Sequence, residues 1–191
     1  MEPQLVLASA SPRRAQILRS LGVSFRVRVA NVDESLGPGE GARAAAERLA
    51  RKKALAVAAL EATLPVLAAD TLVVCDDAAL GKPVSEDDAA RMLRRLAGRD
   101  HEVVTGVCIA HAGRVLAGIE RSLVRFAPLA DDEIAAYVAT GEPLDKAGGY
   151  HIDGRGALFV ESVTGSPSNV AGLPVRLVAR LCAEAGVRLF P

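Results

Sequence analysis

The chain has 191 residues, with 23 Lys+Arg against 23 Asp+Glu, 50% hydrophobic residues and 3% aromatic residues. Zero formal net charge argues against a broad cationic face for duplex nucleic acid, and the scarcity of rings argues against stacking platforms for single strands. No uncharged apolar run nears the ~18 residues of a membrane span. Cys75, Cys108 and Cys182 are too far apart for a disulfide framework or a zinc site. With no basic, apolar leader in "MEPQLVLAS", these totals read as one cytoplasmic domain over residues 1–191, with no membrane and no nucleic acid polymer as partner.

Residues 5–8 read as a short strand. Ser11 and Pro12 then supply an N-cap and a proline at the first helical position. Ile17, Leu18 and Leu21 share one face of that helix, and Gly22 stops it. Residues 25–29 alternate as a strand, with Phe25, Val27 and Val29 on one side. "NVDESLGPGEG" (31–41) is a loop by its Gly and Pro content. An alanine-rich helix is predicted from Ala42 to Ala62. "LPVLAADTLVV" (64–74) is a mostly apolar strand, and "CDDA" is a turn. Ser85 with Asp88 resembles a capping box and opens a helix ending near Ala97. "HEVVTGVCIAH", "AGR" and "VLAGIERSLVRFA" form a hairpin of two long strands. A helix over 131–140, a Gly-rich loop over 141–156, a strand "ALFVESV" and a final helix from Pro174 to about Ala185 complete the chain. Hairpins together with strand–helix–strand units define an α/β class with a mixed sheet.

Three places carry unusual chemistry. Arg13 and Arg14 stand at a helix N-terminus, the end whose dipole already repels cations. Free backbone N–H groups there, the Ser9 and Ser11 hydroxyls and two guanidinium forks form an anion site. The same residues also read as a Ser-Pro cap with two exposed arginines. Asp70 lies inside an apolar strand, where a carboxylate is costly unless paired or bound to a cation. Thr71 points to the opposite face if the strand is regular. In "PLDKAGGY", two glycines after Asp145 and Lys146 allow close backbone approach to a ligand, or serve turn chemistry alone. Asp33-Glu34, Lys52-Lys53 and Lys82 of "GKP" are individually ordinary surface charge. Together these residues are an inventory for a phosphate ester and a divalent ion.

Several segments also match one family in order and spacing. "LASASPRRAQILRSLGV", "VDE", "LARKKA", "AADTLVV", "GKP" and "GEPLDKAGGYHIDGRGALFVESVTGSPSNVAGLP" resemble the Maf family, the septum-formation-inhibitor-like nucleoside triphosphate pyrophosphatases. The resemblance covers residue 5 to about residue 180. It implies a fold like that of the inosine triphosphate pyrophosphatases: a mixed, twisted sheet flanked by helices, two lobes around a cleft, and a homodimer. It implies hydrolysis of a nucleoside triphosphate to the monophosphate and diphosphate with a divalent cation, Mg2+ or Mn2+. Asp70 then becomes the proton acceptor. Ser9, Arg14, Lys53 and Lys82 bind phosphate, and Glu34 joins Asp70 as a metal ligand.

Base choice in the family follows three positions, here Arg13, Thr71 and Asp153. The first two are similar to the group acting on dTTP and UTP, which has Gln at the third; modified pyrimidine nucleotides extend that substrate class. Asp153 departs from both that group and the 7-methyl-GTP group, which has Glu there. A Gln amide donates to uracil O4 and accepts from N3–H, whereas a carboxylate only accepts. A 7-methyl-GTP pyrophosphatase and a nucleotide-binding regulator of cell division are therefore the alternative expectations.

Overall fold

The computed structural model describes residues 2–61 and 63–189. β1 (Leu5–Leu7) leads into α1 (Pro12–Ser20), whose cap is Ser11: its hydroxyl accepts the Arg14 N–H at 3.5 Å. Gly22, at φ +72°, ends the turn that follows. β2 (Phe25–Val27) is shorter than predicted. It lies at the sheet edge, and its partner β1 ends at Leu7, so Val29 has no strand beside it and is 56% exposed.

α2 (Ala42–Ala58) also stops early. Its last turn tightens, with Leu60 N–H bonded to Val57 C=O and Glu61 N–H to Ala58 C=O. The predicted end, Ala62, lies outside the described residues. β3 (Val66–Cys75) turns through Asp76 and Asp77, both at positive φ, into β4 (Ala78–Leu80). The turn was legible; β4 was not, because "AAL" has no β-branched residue to announce a strand. Ser85 caps α3 (Glu86–Leu96) by accepting the Asp88 N–H at 3.1 Å. The Asp88 carboxylate reaches Val84 N–H at 3.0 Å, one residue before a standard capping box.

β5 (Asp100–His111) and β6 (Arg114–Phe126) form the predicted hairpin, with Ala112 and Gly113 at positive φ in its turn. After α4 (Asp131–Val138) come 3-10 turns at Glu142–Asp145, Ala147–Gly149 and Arg155–Phe159. The last of these replaces the predicted start of a strand: β7 is Val160–Thr164. Ala157 N–H bonds back to Gly154 C=O, so the chain coils there before it can extend. The short α5 (Pro167–Val170) and α6 (Val175–Glu184) close the chain.

Among the described residues, seven strands form one sheet in the order β2-β1-β3-β5-β6-β7, with β4 also on β3. β1 is parallel to β2 and β3, whereas β4 and β7 are antiparallel to their neighbours, so the sheet is mixed. The chain divides into two compact units: Met1–Asp70, Thr105–Glu120 and Gly172–Pro191 in the first, Thr71–Val104 and Arg121–Ala171 in the second.

In the first unit the strand period of two sorts the core onto two faces. Leu5, Leu7, Leu67, Ala69, Val107 and Ile109 pack with Leu18 of α1 and Leu177 and Leu181 of α6. Val6, Val66, Ala68, Cys108 and Ala110 pack instead with Ala50, Ala54 and Val57 of α2. Gly106 shares the second face, and α2 lies so close that a Cβ there would sit 2.2 Å from the Ala46 carbonyl oxygen. The second unit has its own core, in which Leu93 and Leu96 of α3 and Ile134 of α4 join Val73, Phe126, Tyr150 and Phe159. Cys75, Cys108 and Cys182 are buried free thiols.

Candidate active site

The alternation that buries Val66 and Ala68 against α2 carries on to Asp70, two residues further along β3. Lys53 belongs to the buried stripe of α2, in step with Ala46, Leu49, Ala50 and Val57. Two periodicities thus bring an acid and a base together. Lys53 Nζ lies 2.6 Å from Asp70 Oδ1, and both side chains are 8% exposed. A second carboxylate, Glu34 from the loop between β2 and α2, places Oε2 2.7 Å from the same ammonium. Glu34 is half exposed, so the cluster opens to solvent on that side.

Ser9 and Arg14 come from β1's carboxyl end and the first turn of α1. Both are buried. Arg14 Nη1 donates to Ser9 Oγ at 3.0 Å, and Nε donates to the Gly172 carbonyl at 2.8 Å. Ser11 N–H also donates to Ser9 Oγ, at 3.2 Å. Burial pulls Arg14 below its ordinary pKa, while the fields of Asp70 and Glu34 oppose that shift. Part of the cation–dipole conflict seen in the sequence is therefore answered inside the fold, by two carboxylates.

The Glu34 loop is itself tied down. Asp33 accepts from Ser35 N–H at 2.9 Å and from Ser35 Oγ at 2.8 Å. Lys52 Nζ donates to Asp33 C=O at 2.8 Å. Arg48, one turn earlier, donates to Ser35 C=O at 3.1 Å and holds both oxygens of Glu40 at 2.6 Å. The Arg48 hydrogen bonds push the Glu40 carboxyl down to about 2. Sequence reading missed Arg48; a helix spacing of four between Arg48 and Lys52 was the available signal. It also missed the Gly172 carbonyl, since nothing local links residue 172 to residue 14.

Five predicted residues thus fall in the first unit as two groups, Ser9 with Arg14 and Lys53 with Asp70 and Glu34, the two carboxylates acting on Arg14 through their fields. Arg13 lies half buried beside Arg14 on α1. Thr71 follows Asp70 on the uninterrupted β3 and so faces the other side of the sheet. Thr71, Lys82 and Asp153 fall in the second unit. Lys82 is exposed, and the carbonyl of its neighbour Gly81 accepts the Gly148 N–H at 3.0 Å. Gly148 and Gly149 need no ligand to explain them. A Cβ at Gly148 would meet Val73 at 2.9 Å, and one at Gly149 would touch Pro83 and Ala89. Asp153 is exposed in a turn closed by Gly154 N–H on His151 C=O at 3.1 Å.

Among the described residues, no group of three or more His, Cys, Asp or Glu side chains is placed to hold a metal ion. Asp70 and Glu34 nevertheless put one oxygen each on a single point, now taken by the Lys53 ammonium. Two carboxylates fit Mg2+, which takes few protein ligands and fills its octahedron with water and phosphate oxygens.

The frame is a mixed-sheet α/β protein that gathers buried cations and two carboxylates around the carboxyl end of β1 and the middle of β3, just past the β1–β3 parallel pairing, an inventory suited to an anionic ligand. The family model described as "Maf-like protein" matches residues 4–185, and the chain belongs to that family. It is similar to proteins named dTTP/UTP pyrophosphatase: 55% identical to one from Anaeromyxobacter sp. strain Fw109-5, over 96% of this chain and 90% of that one. It is 51% identical to one from Moorella thermoacetica (98% and 97%) and 44% to one from Symbiobacterium thermophilum (98% and 96%). Among solved structures, the Ham1 protein of Staphylococcus aureus aligns with a TM-score of 0.47 at 14% identity, covering 64% of this chain and 71% of that one. No helix among the described residues is long and apolar enough to cross a membrane.

Proposed function

We propose that this chain hydrolyses nucleoside triphosphates, dTTP and UTP foremost, to the monophosphate and diphosphate. The names of its relatives and its family membership support the reaction. The observation that carries it is the Lys53 ammonium held between Asp70 and Glu34, two carboxylates whose fields also reach the buried Arg14.

A triphosphate brings several negative charges to the α1 N-terminus. Arg14, held in one orientation by Ser9 and Gly172, offers a preset donor fork to phosphate oxygens. Ser9 Oγ accepts two hydrogen bonds in the structure and can give its own proton to a further oxygen. Lys53 neutralises charge on the departing diphosphate. As Lys53 turns toward phosphate, Asp70 is relieved of its partner and takes the proton of the attacking water. A divalent ion, Mg2+ or Mn2+, held by Asp70 and Glu34, supplies further charge neutralisation when bound. Lys82 as a phosphate ligand, and Arg13 and Asp153 as base readers, complete the proposal; Thr71, across the sheet from Asp70, is a base reader on the family resemblance alone. A cytoplasmic homodimer acting as one domain is its expected form.

The test is chromatography of the products from a triphosphate panel with Mg2+. Diphosphate plus monophosphate is expected; orthophosphate plus a nucleoside diphosphate would refute the reading. Asp70→Asn should lose turnover by roughly 10³-fold and still bind nucleotide. The carboxylate of Asp153 favours one second reading, 7-methyl-GTP as substrate, because it accepts from the N1–H and N2–H2 donors of guanine. The ratio of kcat/KM for UTP and 7-methyl-GTP, in the parent and in Asp153→Gln, decides between them.

A further inference from the structure

The Asp153 turn is held by two side chains that the proposed chemistry does not use. Tyr137, at the end of α4, and Glu142, in the first 3-10 turn, both belong to the second unit. The His151 N–H donates to Tyr137 Oη at 3.0 Å, and the Tyr137 hydroxyl donates to Glu142 Oε1 at 2.9 Å. Glu142 then accepts Gly156 N–H on Oε1 at 3.1 Å and Arg155 N–H on Oε2 at 3.3 Å. One chain of hydrogen bonds, each with a fixed donor, grips the backbone on both sides of Asp153. The Gly154–His151 bond closes the turn between these grips.

The glycines of "DGRG" follow from the same packing. A Cβ at Gly156 would lie 2.9 Å from His151 N, His151 O and Tyr137 Oη. A Cβ at Gly154 would lie 2.6 Å from Glu142 Oε1 and from His151 Nδ1. Burial raises the Glu142 pKa, and the N–H and hydroxyl donors outweigh it, so the group stays a carboxylate able to accept all three bonds.

We propose that Tyr137 and Glu142 are positioning residues for base selection: they fix the 151–156 backbone and so the place of the Asp153 carboxylate. This rests on the pyrophosphatase reading and on Asp153 as a base reader. Tyr137→Phe removes the hydroxyl at the centre of the chain. Glu142→Gln keeps one acceptor oxygen and sets an amide NH2 against a backbone donor.

The experiment measures kcat and KM for UTP and 7-methyl-GTP, inhibition by inorganic tripolyphosphate, and exchange of the His151, Arg155 and Gly156 amides. In both variants the ratio of the two KM values should shift by roughly five-fold, as for loss of one net hydrogen bond. Values of kcat and of tripolyphosphate inhibition should stay within about two-fold, because tripolyphosphate has no base to read. In an Asp153→Ala background, Tyr137→Phe should leave the KM ratio unchanged. The three amides should exchange slowly in the unaltered protein and fast in each variant, a measurement that needs no turnover. Fast exchange of these amides in the unaltered protein would overturn the clamp. So would an unchanged KM ratio in both variants when Asp153→Gln changes it, and either result leaves the pyrophosphatase reading intact. Failure of the unaltered protein to cleave any triphosphate would overturn both.

Discussion

Replacing Lys53 by Met removes the ammonium that is ion-paired with both Asp70 and Glu34. The Asp70 side chain is 8% exposed, so without Lys53 its charge stays largely out of water. Breaking a buried ion pair from one side costs about 3–5 kcal/mol, chiefly as the desolvation of the charge left behind. Two features place this site at the low end. Glu34, 52% exposed, turns to solvent, and the Arg14 guanidinium still exerts its field on Asp70. A loss of about 3 kcal/mol follows, which for a chain of this size lowers Tm by roughly 6–12 °C. Asp70→Asn should cost less, because Lys53 keeps Glu34 and the Asn carbonyl still accepts. The double variant should be more stable than the two single losses predict, since the second change removes the charge that the first one stranded. Calorimetry at pH 7 on the three variants reads all of this. A Lys53→Met Tm within about 2 °C of the parent, or strictly additive losses, would refute the reasoning.

Two further outcomes test the packing of each unit in turn. Gly106→Ala sets a methyl 2.2 Å from the Ala46 carbonyl, a backbone atom that can give way only if α2 moves; a loss of about 3 kcal/mol or more is expected, and a urea midpoint equal to the parent's would show that α2 shifts freely. His101 is buried between Phe126 and Tyr150, with Nε2 2.9 Å from the Tyr150 hydroxyl, and burial lowers its pKa to about 4. The unfolded chain takes up a proton near pH 6.5 that the native state refuses. Its contribution is therefore intact above that pH and is lost as pH falls toward 4, by about 3 kcal/mol in all. Urea midpoints measured from pH 7 to 4.5 should show this loss in the parent and a flatter profile in His101→Gln; parallel profiles would refute it.

The amino-acid order by itself determined most elements, because local rules suffice for them. Ser11-Pro12 and Ser85 mark helix starts, Gly22 marks a stop, and long alternating runs mark the β5–β6 hairpin. It also singled out Asp70 as an acid in an apolar strand and, through the Maf-like segments, the cations that go with it. What failed locally was short and dependent on partners. β2 ended when β1 ran out, β4 formed from three weak residues because β3 lay beside them, and Phe159 coiled where its hydrophobic run promised a strand. Only the tertiary structure decided which partners meet. Asp70 stands out in the sequence but its partner does not: Lys53 is ordinary until the strand period and the helix period are superposed across one interface. Gly172 and Arg14, or Tyr137 and His151, meet through the path of the chain, which no local pattern encodes. Periodicity fixes which face a residue takes; the pairing of faces is settled by the packing that buries them.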